Sequence, residues 1–352
     1  MYPRWIILLP VFILCCACAH TRQDSKQFLF EEELTATHRV PTGEPVPPNV
    51  SMHILRDYLV FLDHLNLSYS VEYFFHAYRL FDLSFVGSFG RRGRGPGEWN
   101  NPDIVHSSSM SPYLYLFELS SRESTAIIHK MALDTLAQLK EVRTFSIDKG
   151  RIPMNDPVIK NDSLLVFREF TPDHRALRMY HLQEERPVIT WDYGGIFYPK
   201  IFSDENNGIL RANDSRIIFI YRYKEMIDFM DWDLNLKKRL NYQKGKPVIT
   251  DNHSNNKIHT TNTYLGEHFL YIFYSGMSPN ERLTKSNLNL GLEVFDMDGT
   301  PVCRYSFIDP TPFTFVVDER TFTLYGYKGS DGMEDYISVY HLPGLKEYLQ
   351  NR

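Results

Sequence analysis

Cysteine is almost missing from the body of this 352-residue chain: Cys15, Cys16 and Cys18 crowd the N-terminus, and only Cys303 lies beyond them. A disulfide-stapled scaffold spreads its cysteines through the folded part, so that class is excluded. Positive charge is not in excess either. Lys and Arg number 38 against 43 Asp and Glu, a formal net charge of −5, which argues against a strongly basic nucleic-acid binder. No apolar stretch reaches membrane-spanning length, and long helical periodicity is missing apart from a terminal turn at Leu345 to Leu349 after Pro343-Gly344. There is no Gly-x-Ser-x-Gly elbow and no His-Glu-x-x-His, and the run from Gly93 to Gly97 lacks the Gly-Lys-Ser/Thr and helix of a nucleotide loop. Asp296-x-Asp298-Gly299 and Asp231-x-Asp233-x-Asn235 lack the full ligand series of a calcium loop. The sequence therefore gives no reason to expect a metal or a cofactor.

What is present begins with an export signal. Residues 1–17 place Arg4 before a short apolar run, Trp5 to Leu14, and then small residues, the layout of a secretory signal peptide. The cysteines at its end resemble the lipobox of bacterial lipoproteins, in which the residue after the cut is acylated. Cys18 fits that place best, although Cys15 stands where an aliphatic residue is expected and cleavage before Cys15 or Cys16 stays open. Residues 18–39, polar and rich in Glu, read as a lipidated tether. The expected location is the bacterial cell envelope, on the periplasmic side or the cell surface, with membrane contact only through the lipid.

The rest of the chain falls into short runs of aromatic and β-branched residues separated by turns. Six apolar strands share one pattern, centred on Val60, Tyr115, Leu165, Ile218, Tyr271 and Leu324, with spacings of 55, 50, 53, 53 and 53 residues. Asn161-Asp162-Ser163 and Asn213-Asp214-Ser215 precede two of them, and Asp298-Gly299 marks a hairpin. Six units of this length predict an all-β fold, a six-bladed β-propeller of four-stranded antiparallel blades, over residues 40–343 with a tail at 344–352. A single blade cannot bury both faces of its sheet, so the ring is the folding unit.

The segment Gly87-Ser88-Phe89-Gly90-Arg91-Arg92-Gly93-Arg94-Gly95-Pro96-Gly97-Glu98-Trp99-Asn100-Asn101-Pro102 resembles the inter-blade element of NHL-repeat and TolB-like six-bladed propellers. It occurs once, unlike the repeated element of true NHL arrays. With the lipobox, it resembles secreted bacterial lipoproteins carrying a TolB-like propeller. Such a resemblance implies a fold and a binding habit, not a reaction.

Strand alternation then separates two faces. First-to-second and third-to-fourth turns share one face and are tight. Second-to-third loops and inter-blade links share the other and are long, and functional loops on a rigid scaffold tend to be the long ones. The candidate ligand-binding residues on that face are Arg91, Arg92, Arg94 and Trp99, then Trp191, Tyr193, Arg222 and Lys244. The basic ones suit an anionic ligand, and the aromatic ones suit sugars or peptides. The reading favours a binding module for an envelope protein or glycan partner. The alternative is a propeller hydrolase or lyase acting on a polysaccharide or lactone-like substrate, with catalytic residues the sequence does not identify.

Overall fold

The computed structural model describes residues 26–42, 50–63, 72–108, 111–118, 124–134, 138–148, 154–170, 175–192, 204–284, 290–328 and 336–352. Two strands come first, β1 (Phe30–Leu34) and β2 (His38–Pro41). The first blade is β3 (Val50–Leu55), β4 (Tyr58–Asp63), β5 (Tyr73–Arg79) and β6 (Phe85–Arg91). The second is β7 (Pro102–Val105), β8 (Tyr113–Glu118), β9 (Thr125–Leu133) and β10 (Leu139–Asp148). The third is β11 (Met154–Lys160), β12 (Leu164–Phe170), β13 (Arg175–His181) and β14 (Arg186–Asp192). The fourth is β15 (Gly208–Ala212), β16 (Ile217–Tyr221), β17 (Met226–Met230) and β18 (Leu236–Asn241). The fifth contains β19 (Ile258–Leu265), β20 (Phe269–Met277), then a helical turn α1 (Pro279–Thr284), β21 (Gly291–Asp296) and β22 (Pro301–Phe307). The sixth takes β23 (Thr314–Asp318), β24 (Thr323–Lys328) and β25 (Tyr336–His341), and the chain ends in α2 (Leu345–Gln350).

Every blade is an antiparallel meander with its first strand innermost, so the protein is a six-bladed β-propeller. The six repeated apolar strands are the second strands β4, β8, β12, β16, β20 and β24. Both faces of these strands meet a neighbouring blade, which is why they are apolar throughout instead of alternating: all five residues of β16 are buried. The buried side chains form six clusters, one at each blade interface, so no blade owns a core of its own. The free thiol of Cys303 sits in one of them, fully buried, and burial pushes it up to about 12.

The ordered fold starts earlier than the tether boundary at residue 39 implies. β2 is the outer strand of the last blade, paired antiparallel with β25 from His38↔Val339 to Pro41↔Tyr336, and this closes the ring. β1 lies parallel to β22 as a fifth strand of the fifth blade. Glu31-Glu32-Glu33 makes the segment look like solvated linker, yet Leu34 is 2% exposed and the Phe28 ring packs on Phe295 at 5.9 Å. The tail is docked too. Leu345 is buried, and the Tyr348 hydroxyl donates to Asp296 at 2.8 Å.

Turn chemistry follows the sequence. Asn213 Oδ1 accepts the N–H groups of Ser215 and Arg216, while its Nδ2 donates to the Gly266 carbonyl of the next blade at 3.0 Å. Asp296 Oδ1 accepts from Asp298 and Thr300, and Gly299 takes φ of +72°, which a glycine adopts without strain. Asp231 likewise binds the N–H groups of Asp233 and Asn235, so both calcium-like stretches are hairpin turns. In the glycine-rich link, Glu98 accepts from the Gly95 N–H at 2.8 Å, and a Cβ on Gly93 would lie 1.9 Å from the Glu98 carboxylate. The glycines there make room for a carboxylate that ties off the link.

Candidate functional site

Along the axis, residues of β3, β15, β19 and β23, with His106 and Ser107 at the end of β7, line a cavity of 130 Å³. β3 runs along the cavity: Val50 and Met52 also belong to the first–sixth blade core, and Ser51 and His53, at the alternate positions, bring polar groups to the lining. Arg211 enters it from β15, Asn262 and Thr263 from β19, and His106 from the end of β7. The His53 and His106 rings are 6.2 Å apart. Arg211 Nη1 donates to the Leu210 carbonyl at 2.8 Å and Nε reaches the Thr263 carbonyl at 3.4 Å. Above it Asp156, held at φ of +44° by an irregularity in β11, pairs with Arg168 at 2.5 Å, and Arg168 also donates to Asn207 at 3.0 Å.

Burial, aided by the positive charge of Arg211, holds the His53 imidazole down at about 4. An unfolded His53 returns to about 6.5, so the unfolded chain takes up the proton first as pH falls. This residue's contribution to stability is therefore present above about pH 6.5 and is lost between there and about pH 4, to a total of about 3 kcal/mol. Urea denaturation from pH 7.5 to 4 should show that slope, and His53→Asn should flatten it. An unchanged slope in the variant would remove His53 as the cause.

Cavities at the tight-turn face were not foreseen. One of 410 Å³ lies at the channel's lower mouth between Arg56, Pro112, His268 and Glu319, and one of 320 Å³ lies between Tyr115, Lys130 and Asp162. The β7–β8 connection is the exception to tight turns on this face. Its Ser108 hydroxyl donates to Glu267 of the fifth blade at 2.6 Å, reaching the far side of the ring. A signal was available in the sequence: the link from Val105 to Tyr113 is longer than any other first-to-second turn. The polar alternation Ser51–His53 inside an apolar strand was a second.

The residues expected on the long-loop face divide into two groups. Arg91 lies 3.7 Å from Glu72 and 3.9 Å from Glu98, and Arg92 stacks on Phe74 at 4.3 Å with Asp63 at 3.5 Å. Trp99 meets the His129 ring at 4.9 Å and packs into the first–second blade interface, and Trp191 packs against the third–fourth interface. The two tryptophans are thus engaged in holding blades together, whereas Arg91 and Arg92 pair within the first blade and its link, Arg91 remaining 64% exposed. Arg94 and Lys244 are exposed with no carboxylate within 4 Å among the described residues. Arg222, between β16 and β17, has its backbone tied to Asn207 and His259 at 2.8 Å each, and its Nε is buried with no hydrogen-bond partner. Tyr193 and Cys18 lie outside the described residues, as does the whole signal segment.

Inner strands around a polar axis, with blade cores between them, define a β-propeller of the six-bladed class. The chain belongs to the TolB-like six-bladed propeller family, whose model, described as "TolB-like 6-blade propeller-like", matches residues 52–320. No curated protein matches the sequence significantly. Among solved structures it is similar to a member of the DUF4221 family from Bacteroides vulgatus, with 14% identity, TM-score 0.58 and coverage of 88% of this chain and 97% of that one. It is also similar to a Bacteroides fragilis protein described as exported, with 9% identity, TM-score 0.51 and coverage of 89% and 98%. At these identities the likeness is one of fold. Among the described residues, no helix is long and apolar enough to cross a membrane.

Proposed function

We propose that this chain is an exported lipoprotein, anchored through Cys18, whose long-loop face binds an anionic envelope partner, protein or glycan. The observation that carries the reading is Arg222. Its backbone is held between Asn207 and His259, and among the described residues its buried Nε has no hydrogen-bond partner and no carboxylate lies within 4 Å. Lys244, Lys246 and Lys257 are exposed on the adjoining inter-blade link, and Arg282 stands in α1 of the next loop. Structural cations normally acquire partners, as Arg168, Arg175 and Arg178 do here. A group with no ion-pair partner among the described residues on the loop-bearing face suits carboxylates supplied from outside.

The test is retention on an immobilised uronate polymer and on an acidic peptide, together with membrane fractionation. The wild-type chain should be retained on at least one and eluted by salt. Arg222→Glu with Lys244→Glu should flow through with an unchanged melting temperature, while Arg91→Glu should behave as wild type. Cys18→Ser should move the protein to the soluble fraction. Equal retention of wild type and the double variant would remove this face as the site, and unaltered fractionation would remove the anchor.

A further inference from the structure

Four charged side chains converge along the axis: Arg211, Arg168, Asp156 and Asp103. Two of them neutralise each other, because Asp156 is taken by Arg168 at 2.5 Å. Asp103 turns its carboxylate back to the N–H of Ile104 at 2.8 Å. Arg211 is left with two backbone carbonyls and no carboxylate within 4 Å among the described residues. Two hydroxyls that line the same cavity are unmatched as well. Ser51 Oγ and Thr263 Oγ1 are buried without a hydrogen-bond partner among the described residues, and Thr263 is only 4% exposed. A guanidinium and two hydroxyls from three different blades thus present donors to one axial space of 130 Å³, about the room of four waters.

We propose that this axial cavity is a binding site for one small oxoanion, a carboxylate or phosphate, held by Arg211, Ser51 and Thr263. The chemistry is that of a charge-assisted fork: the guanidinium offers N–H groups to two oxygens, and the hydroxyls each donate one more bond. Burial presses on the charge of Arg211, and an anion would relieve that pressure. His53 is neutral near pH 7 and adds no competing charge. Because the three donors come from the first, fourth and fifth blades, an anion here would also tie those blades together. This site is separate from the outer face argued above and does not depend on it.

Titration calorimetry of the full-length chain with sodium acetate, and separately with inorganic phosphate, should show a single saturable site at fixed ionic strength in a zwitterionic buffer. Arg211→Met should weaken it about 30-fold or more, and Ser51→Ala or Thr263→Val about 3- to 10-fold each. Glucuronate, whose ring is too large for the cavity, should give no binding heat. No saturable heat, or the same response in wild type and Arg211→Met, would overturn the site and leave the cavity to water. Saturable glucuronate binding that Arg211→Met abolishes would equally overturn a small-ion site. Should Arg211→Met fail to fold, the two hydroxyl variants decide the matter: unchanged affinity in both rejects the proposal.

Discussion

A chain that begins at residue 42 is expected to lose cooperative folding, whereas one that begins at residue 26 should melt like the whole protein. The shorter chain lacks β2, so the four-residue pairing with β25 is gone and the sixth blade keeps only three strands. It also lacks β1, the buried Leu34, and the rings of Phe28 and Phe30 that pack on Phe295 and Tyr305. Tertiary polar ties go with them: the Ala36 N–H to Asp309 at 2.8 Å and the Arg39–Asp309 pair at 2.5 Å. Losing these apolar groups alone amounts to about 5 kcal/mol, comparable with the whole stability of many domains. Circular dichroism melts and gel filtration read the outcome. A synthetic peptide of residues 26–42 added in trans should restore a cooperative transition by adding its strands to the open edges. A sharp melt of the shorter chain near the parent temperature would show that the ring does not need this closure.

Glu319→Ala should destabilise the protein by about 3–4 kcal/mol, the largest effect expected of any single side chain outside the apolar core. Glu319 stands in the β23–β24 turn of the sixth blade, but its carboxylate serves the fifth. It accepts the N–H groups of Glu267 and His268 at 2.8 and 3.0 Å, that of Phe269 at 3.1 Å, and the Tyr271 hydroxyl at 3.1 Å. Removal strands four donors at the wall of the 410 Å³ cavity, and the buried Phe269 N–H and Tyr271 hydroxyl are the ones water replaces least well. The close approach explains Gly266 as well, since a Cβ there would lie 2.1 Å from Glu319 Oε1. Urea denaturation measures the loss, and Glu319→Gln, which keeps the shape but brings an amide NH₂ against donors, should lose about half as much. A change under about 1 kcal/mol for the alanine variant would mean that the turn rearranges to satisfy itself.

The fold was legible because its signal is arithmetic. A second strand buried on both faces must be apolar at every position, and six such strands recur at nearly constant spacing. Val60, Tyr115, Leu165, Ile218, Tyr271 and Leu324 all sit in second strands. The N-terminal strands were hidden because an outer strand has one solvated side. Glu31 to Glu33 are exposed in β1, and only Phe28, Phe30 and Leu34 mark its packing. The site was less legible. Arg91, Arg92 and Trp99 stand out in a glycine-rich stretch, yet their partners Glu72, Asp63 and His129 are distant in sequence. Arg211 carries no local mark at all, since its isolation from carboxylates is a property of the assembled axis.

The ring's last seam joins the second strand of the chain to the last. Roughly 300 residues separate Pro41 from its partner Tyr336, so β2 has no partner strand until nearly the whole chain has emerged. Until then β2 is a bare edge, as β1 is until β22 exists, and a bare edge can pair with another extended chain. The exposed Glu31, Glu32 and Glu33, and the exposed His38 and Arg39 beside them, are the kind of charge that discourages such pairing. The acidic run that disguises β1 as linker is thus also the kind of charge that leaves this early edge unoccupied for β22 of the fifth blade.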